Sequence, residues 1–122
     1  MKFKKSHLEK CYNIFMDSIN SGESIFKPLS IEEFEKRILG AEHNVVAIVK
    51  AVEDEVIGFA FGSLAETTGY VSYIGVKSDY RRKGIGTQLY LELEKEMLKE
   101  NCNVNKIDCI FYNPCTLPWI IP

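Results

Sequence analysis

An apolar run, Val71 to Val76, leads through Arg81-Arg82-Lys83-Gly84-Ile85-Gly86 into Thr87-Gln88-Leu89-Tyr90-Leu91-Glu92-Leu93. Three cations and two glycines therefore stand where a strand turns into an amphipathic helix. A helix start carries unpaired backbone N–H groups and the positive end of the macrodipole. Glycines let a ligand approach those groups, and neighbouring cations add charge-assisted contacts. A phosphate-bearing ligand on the helix N-terminus fits this chemistry. A solvated surface turn with a glycine cap is the plainer alternative.

Two well-known phosphate loops do not match. A dinucleotide fingerprint needs a third glycine where Leu89 stands, and a Walker A loop needs Gly-Lys-Ser/Thr after a four-residue gap. What is present is Arg-x-x-Gly-x-Gly, read as Arg81, Gly84 and Gly86 behind a strand ending in Val76. From Ile74 to Gly86 the chain resembles the acetyl-CoA-binding signature of the GNAT N-acetyltransferase superfamily.

The remaining segments read in a compatible order. Ser6 and Glu9 form an S-x-x-E capping box, with Leu8, Cys11, Tyr12, Phe15 and Ile19 at helical spacing. The spacing predicts a helix over 6–19. Ser30 and Glu33 repeat the box before Ile31, Phe34, Ile38 and Leu39, and Gly40 reads as a C-cap. Val45 to Val52, the charged turn Glu53-Asp54-Glu55, and Val56 to Gly62 read as an antiparallel hairpin. Gly58 and Gly62 suggest a bulge or close packing. Tyr70 to Val76 is a third strand after a turn at Glu66-Thr67-Thr68-Gly69. The helix over 86–100 carries Leu89, Leu93 and Met97 on one face, with Glu92/Lys95 and Glu96/Lys99 as i,i+3 pairs. Ile107 to Tyr112 is a last strand, returned parallel by the helical crossover. Met1 to Lys4 is a weak first strand by pattern. The fold class expected is α+β, a mixed and mostly antiparallel sheet flanked by helices.

At 122 residues the chain fits one domain with a hydrophobic core. A net charge of −2 with scattered Lys and Arg gives no sign of nucleic-acid binding. No signal-peptide core and no run of membrane-spanning length is present, so a cytoplasmic location is the expectation. Cys11, Cys102, Cys109 and Cys115 have neither C-x-x-C spacing nor paired histidines nearby, since His7 and His43 lie far from three of them. Free thiols are expected rather than a metal site or disulfides.

The resemblance implies more. Such enzymes hold acetyl-CoA, as co-substrate and with no metal, in an opening between two splayed strands. Ile74 and Val76 would give main-chain contacts to the pantetheine arm. Arg81, Arg82, Lys83, Gly84, Ile85, Gly86 and Thr87 would wrap the diphosphate through backbone N–H groups, with Thr87 adding a hydroxyl. The Val76 N–H would donate to the thioester carbonyl, where the oxyanion forms. The amine acceptor, a small molecule or a peptide, would attack directly in a ternary complex. A base is needed because an amine of pKa about 10 must lose its proton. Counting back by twos from Val76 reaches Ile74, Ser72 and Tyr70, none of them acidic, which leaves Glu66 as the nearest upstream carboxylate. A tyrosine of the family protonates the departing thiolate, and Tyr112 would stand near that place or serve as a core tyrosine; Asn113 would face the cofactor or turn the chain before Pro114. Phe26 and Glu23, between the first two helices, could line the acceptor site.

Residues 112–122 form an irregular, Pro-rich apolar tail, where members of the family continue with another helix and two strands. The fold is accordingly expected to lack the carboxy-terminal helix and last strands, as in a truncated or amino-terminal module. A second copy or a missing module would cover Trp119, Ile120 and Ile121. A non-catalytic acyl-CoA-binding or regulatory module, and a structural half-domain docking through its tail, stand as alternatives to the transferase.

Overall fold

Two runs rich in β-branched and aromatic residues, parted by Glu53 and Asp54, form the hairpin at the centre of the fold. The computed structural model describes residues 1–22, 26–39, 44–100 and 103–104. Strand β1 spans Val45–Val52, β2 spans Glu55–Ala65 and β3 spans Thr68–Val76. Glu53 and Asp54 both take left-handed φ, 51° and 67°, as a two-residue hairpin turn of matching twist requires. The turn is therefore two residues long, and Glu55 already belongs to β2. The turn before β3 is also shorter than expected, because Thr68 and Gly69 belong to the strand.

The sheet order is β1-β2-β3-β4, with the first two pairings antiparallel. The parallel partner of β3 is β4, Asn103–Val104, set against Thr68 and Gly69. The strand expected over 107–112 lies outside the described residues, as do Gly40, His43, Cys102, Tyr112, Asn113 and the apolar tail. At the other edge Lys2 bridges Ile48, with Phe3 N–H donating to Ala47 carbonyl and Val49 N–H to Met1 carbonyl at 3.0 and 2.7 Å. The weak first strand is thus a short bridge.

Helices α1 (Leu8–Asn20) and α2 (Ile31–Leu39) cover one face, and α3 (Ile85–Lys99) covers the other. The start of α1 differs from the sequence reading. A 3-10 turn over Lys5–His7 precedes it, with Lys4 N–H donating to His7 Nδ1 at 3.0 Å and His7 N–H to the Lys4 carbonyl at 2.8 Å, so this pair, not Ser6 and Glu9, closes the first turn. Ser30 does cap α2, accepting from the Glu33 N–H at 3.2 Å. On α3, Glu96 pairs with Lys99 at 3.1 Å, whereas Glu92 is taken by the Met1 α-amine at 2.8 Å.

Leu89, Leu93 and Met97 are fully buried against Ile48, Ala60, Val71, Ile74 and Val76. The opposite core is aromatic, with Phe15, Phe34, Phe59, Phe61 and Tyr73 in mutual contact. Its rings meet mainly edge-on or offset, for example Phe34 and Phe59 at 5.8 Å and 83°. Helix α3 lies close to the sheet because β2 presents glycines to it. A Cβ on Gly58 would stand 2.9 Å from Leu89 Cδ1, and one on Gly62 would stand 2.6 Å from Met97 Cε.

A bulge changes the parity of β3. Phe61 faces Tyr73 but Gly62 faces Val71, so Ser72 is the extra residue. Counting back by twos from Val76 therefore fails beyond Ile74. Val71, not Ser72 or Tyr70, shares the α3 face with Ile74 and Val76, while Tyr73 points into the aromatic core.

Candidate functional site

Strand β3 delivers its last residues to the start of α3, and the outer edge of the strand is exposed there. In an antiparallel ladder a residue's N–H and C=O point the same way, and successive residues alternate. Lys77 N–H donates to the Ile57 carbonyl at 2.7 Å, so Lys77 and Gly75 turn toward β2. Ile74 and Val76 consequently turn their main-chain groups away from β2. Among the described residues, strand pairing on that side stops at Gly69. An extended ligand could add to this edge as a strand would.

The loop that follows is tightly specified. Ser78–Tyr80 make a 3-10 turn, closed by Tyr80 N–H to Lys77 carbonyl at 2.8 Å. Arg81 N–H donates to Ser78 carbonyl at 3.4 Å, and Arg81 Nε donates to Val76 carbonyl at 3.1 Å. Arg82 and Gly84 adopt left-handed φ of 62° and 79°, which curls the main chain between them. Nothing lies within 4 Å of where a Gly84 Cβ would be, so that side of the loop is open. The Lys83 ammonium sits 5.4 Å from the Tyr80 ring centroid, and Arg82 is exposed.

Gly84 is the N-cap of α3 and supplies no side chain to cap it. The Gly84 carbonyl accepts from Gln88 N–H at 3.1 Å, so the N–H groups of Ile85, Gly86 and Thr87 have no carbonyl within the helix. The first turn holds no acidic residue, which leaves the positive end of the dipole uncompensated. Gly86 is buried and Thr87 half-buried. Outward strand groups, a curled loop, two cations and an uncapped helix start together offer donors that an extended arm ending in a diphosphate could use. The acetyltransferase (GNAT) family model matches residues 8–114.

The chain belongs to the acetyltransferase (GNAT) family.

Relatives of this GNAT chain agree with the fold. An acetyltransferase of Sodalis glossinidius (strain morsitans) is 36% identical over 55 residues, which is 45% of this chain and 39% of that protein. The ribosomal-protein-alanine N-acetyltransferase of Brucella melitensis superposes with a TM-score of 0.72 at 19% identity, over 83% of this chain and 67% of that one. A phosphinothricin acetyltransferase from Sinorhizobium meliloti, solved with AcCoA, gives 0.70 at 24% identity, over 81% and 58%. The match to the Sodalis protein thus spans well under half of its length.

The GNAT fold brings together Ile74, Val76 and residues 81–87, as the sequence motif implies. Two roles change. Arg81 turns its backbone N–H inward to Ser78, and its side chain ties the loop to β3, so the free main-chain donors lie later in the loop. Glu66 sits in the turn before Thr68, at the opposite end of β3 from Val76. At a strand's rise the two are roughly 25 Å apart, too far for Glu66 to act beside Val76. Tyr112 and Asn113 lie outside the described residues.

Sequence reading missed an acidic rim. The β1–β2 turn lies at the same end of the sheet as Val76, because Gly58 pairs with Val76. There Asp17, Glu53, Asp54 and Glu55 line a groove of about 540 Å³ with Lys10, Asn13 and Lys77. Glu55 is hydrogen-bonded to Lys77, which holds its carboxyl below the usual value and raises the Lys77 ammonium in turn. The antiparallel order of the first three strands was the signal that could have found it. Among the described residues no helix is long and apolar enough to cross a membrane.

Proposed function

We propose that the chain binds acetyl-CoA and acts as an N-acetyltransferase, passing the acetyl group to a primary amine by direct attack within a ternary complex. The observation that carries this reading is the continuity of outward main-chain groups at Ile74 and Val76 with the uncapped N-terminus of α3. The pantetheine arm pairs with β3, and the diphosphate is held by the N–H groups from Gly84 to Thr87, with Arg82 and Lys83 beside them. The Val76 N–H, turned outward, donates to the thioester carbonyl and meets the developing oxyanion. Holding both substrates supplies the proximity that direct attack requires.

The acceptor class is a small-molecule or peptide amine. Relatives of similar fold are named for an alanine of a ribosomal protein and for phosphinothricin. Glu66 plays no part in this chemistry at its distance from Val76.

One observation favours a second reading, a module that binds acyl-CoA without turnover. The only carboxylate that the motif offered as a base stands at the wrong end of β3. Thermal melts with and without coenzyme A test binding, because a ligand bound only by the folded state raises Tm. Thiol release from acetyl-CoA across a panel of amines then separates the two. Binding without release from any amine supports the silent module, and no rise in Tm removes both.

A further inference from the structure

Among the described residues, Phe26 is the one side chain packed against both hydrophobic cores. The sheet separates those cores, so a single ring reaches both only around a free edge. The β1 edge is covered by Met1 to Phe3. The Phe26 ring lies 5.4 Å from the Tyr73 ring in an edge-to-face contact and 6.5 Å from that of Phe15. The edge it wraps is therefore that of β3, at the level of Tyr73 and Ile74. Phe26 is half-buried, so neither core seals it completely.

Direction along the strand gives this position a meaning. The diphosphate seat lies beyond Val76 and the thioester carbonyl meets the Val76 N–H, so the acyl chain runs on from Val76 toward Ile74. An acyl chain longer than acetyl then meets Phe26 beside Ile74. We propose that Phe26 is a specificity-determining residue, an apolar wall that limits the transferred group to a short acyl chain such as acetyl. The proposal rests on the acetyl-CoA reading and names the donor class for that same site. Polar length on the donor is set by the loop and strand, while acyl length is set by this one ring.

The test is calorimetric titration of the full chain with coenzyme A, acetyl-CoA, propionyl-CoA and butyryl-CoA. Wild type is expected to bind butyryl-CoA at least about tenfold more weakly than acetyl-CoA, since an apolar pocket discriminates by roughly that factor per methylene. In Phe26→Ala the two should bind within about twofold, with coenzyme A itself bound as in wild type. Phe26→Leu, which keeps an apolar contact to Tyr73, should fall between and serves if the alanine variant does not fold. Equal discrimination in wild type and both variants, or none in wild type, overturns the proposal while leaving coenzyme A binding intact. Failure of coenzyme A to bind wild type would instead remove the acetyl-CoA reading itself.

Discussion

Arg81 Nε donates to the carbonyl of Val76 at 3.1 Å, so the first cation of the loop is spent on holding the loop to the strand. This contact orients the N–H groups that follow, and it uses a carbonyl that β2 leaves unpaired. Arg81→Lys removes the fixed planar donor while keeping the charge. Coenzyme A affinity is expected to fall about tenfold, or about 1.4 kcal/mol, with a much smaller change in Tm. Unchanged affinity by calorimetry would show that the loop holds its shape without the contact.

Gly84 and Gly22 make a matched pair, with φ of 79° and 77° and nothing within 4 Å of a Cβ at either. Alanine should destabilise both proteins by about 1 kcal/mol through backbone strain alone. Only Gly84→Ala should weaken coenzyme A binding, because only that residue shapes the loop. Gly86→Trp, which fills the seat, should abolish the rise in Tm on adding coenzyme A. A normal rise in that variant would mean the ligand sits elsewhere.

A buried hydroxyl pair links α1 to β3. Ser18 Oγ donates to Phe15 carbonyl at 2.8 Å, which leaves the Tyr73 O–H to donate to Ser18 Oγ at 2.7 Å. Removing the two members should have unequal costs. Tyr73→Phe leaves Ser18 still bonded and should cost about 1 kcal/mol, whereas Ser18→Ala strands a buried hydroxyl and should cost about 1–3 kcal/mol. Urea titration of the two variants checks the order, and a reversed order would contradict the donor assignment.

Alkali should lower the stability of the protein in two steps. Burial raises the Cys11 thiol from 9.0 to about 12, and burial raises the Tyr73 phenol from 10.0 to about 12 against the opposing pull of Ser18. Both folded pKa values lie above the unfolded ones, so the folded state keeps protons that the unfolded chain releases. Their contribution is complete below about pH 9 and declines as pH rises toward 12. The decline begins with Cys11, and Tyr73 joins above pH 10. Cys11→Ala should remove the slope of stability between pH 9 and 10 and leave the later one, measured by urea titration at fixed pH steps. The same early slope in the variant would assign the proton elsewhere.

Much of this was legible from local signals. The cap at Ser30, the core stripe Leu89, Leu93 and Met97, and the helix expected over 86–100 and found at Ile85–Lys99 depend on neighbours within one or two turns, where spacing and propensity act directly. The start of α1 differs because Lys4 and His7 close a 3-10 turn that takes up Ser6 before the helix begins. Glu66 was misjudged for a different reason. Proximity in sequence stood in for proximity in space, and an extended strand carries ten residues a long way.

The residue order alone determined that a strand, a basic glycine loop and a helix would meet, and with it the GNAT family, because each of those parts is specified by its own side chains. Only the tertiary structure decided which way β3 faces. The bulge at Ser72 arises from how two strands share one ladder, and it moves Val71 beneath α3 and Tyr73 into the aromatic core. Phe26 gains its place at the β3 edge in the same manner, through packing between distant segments that no local pattern encodes.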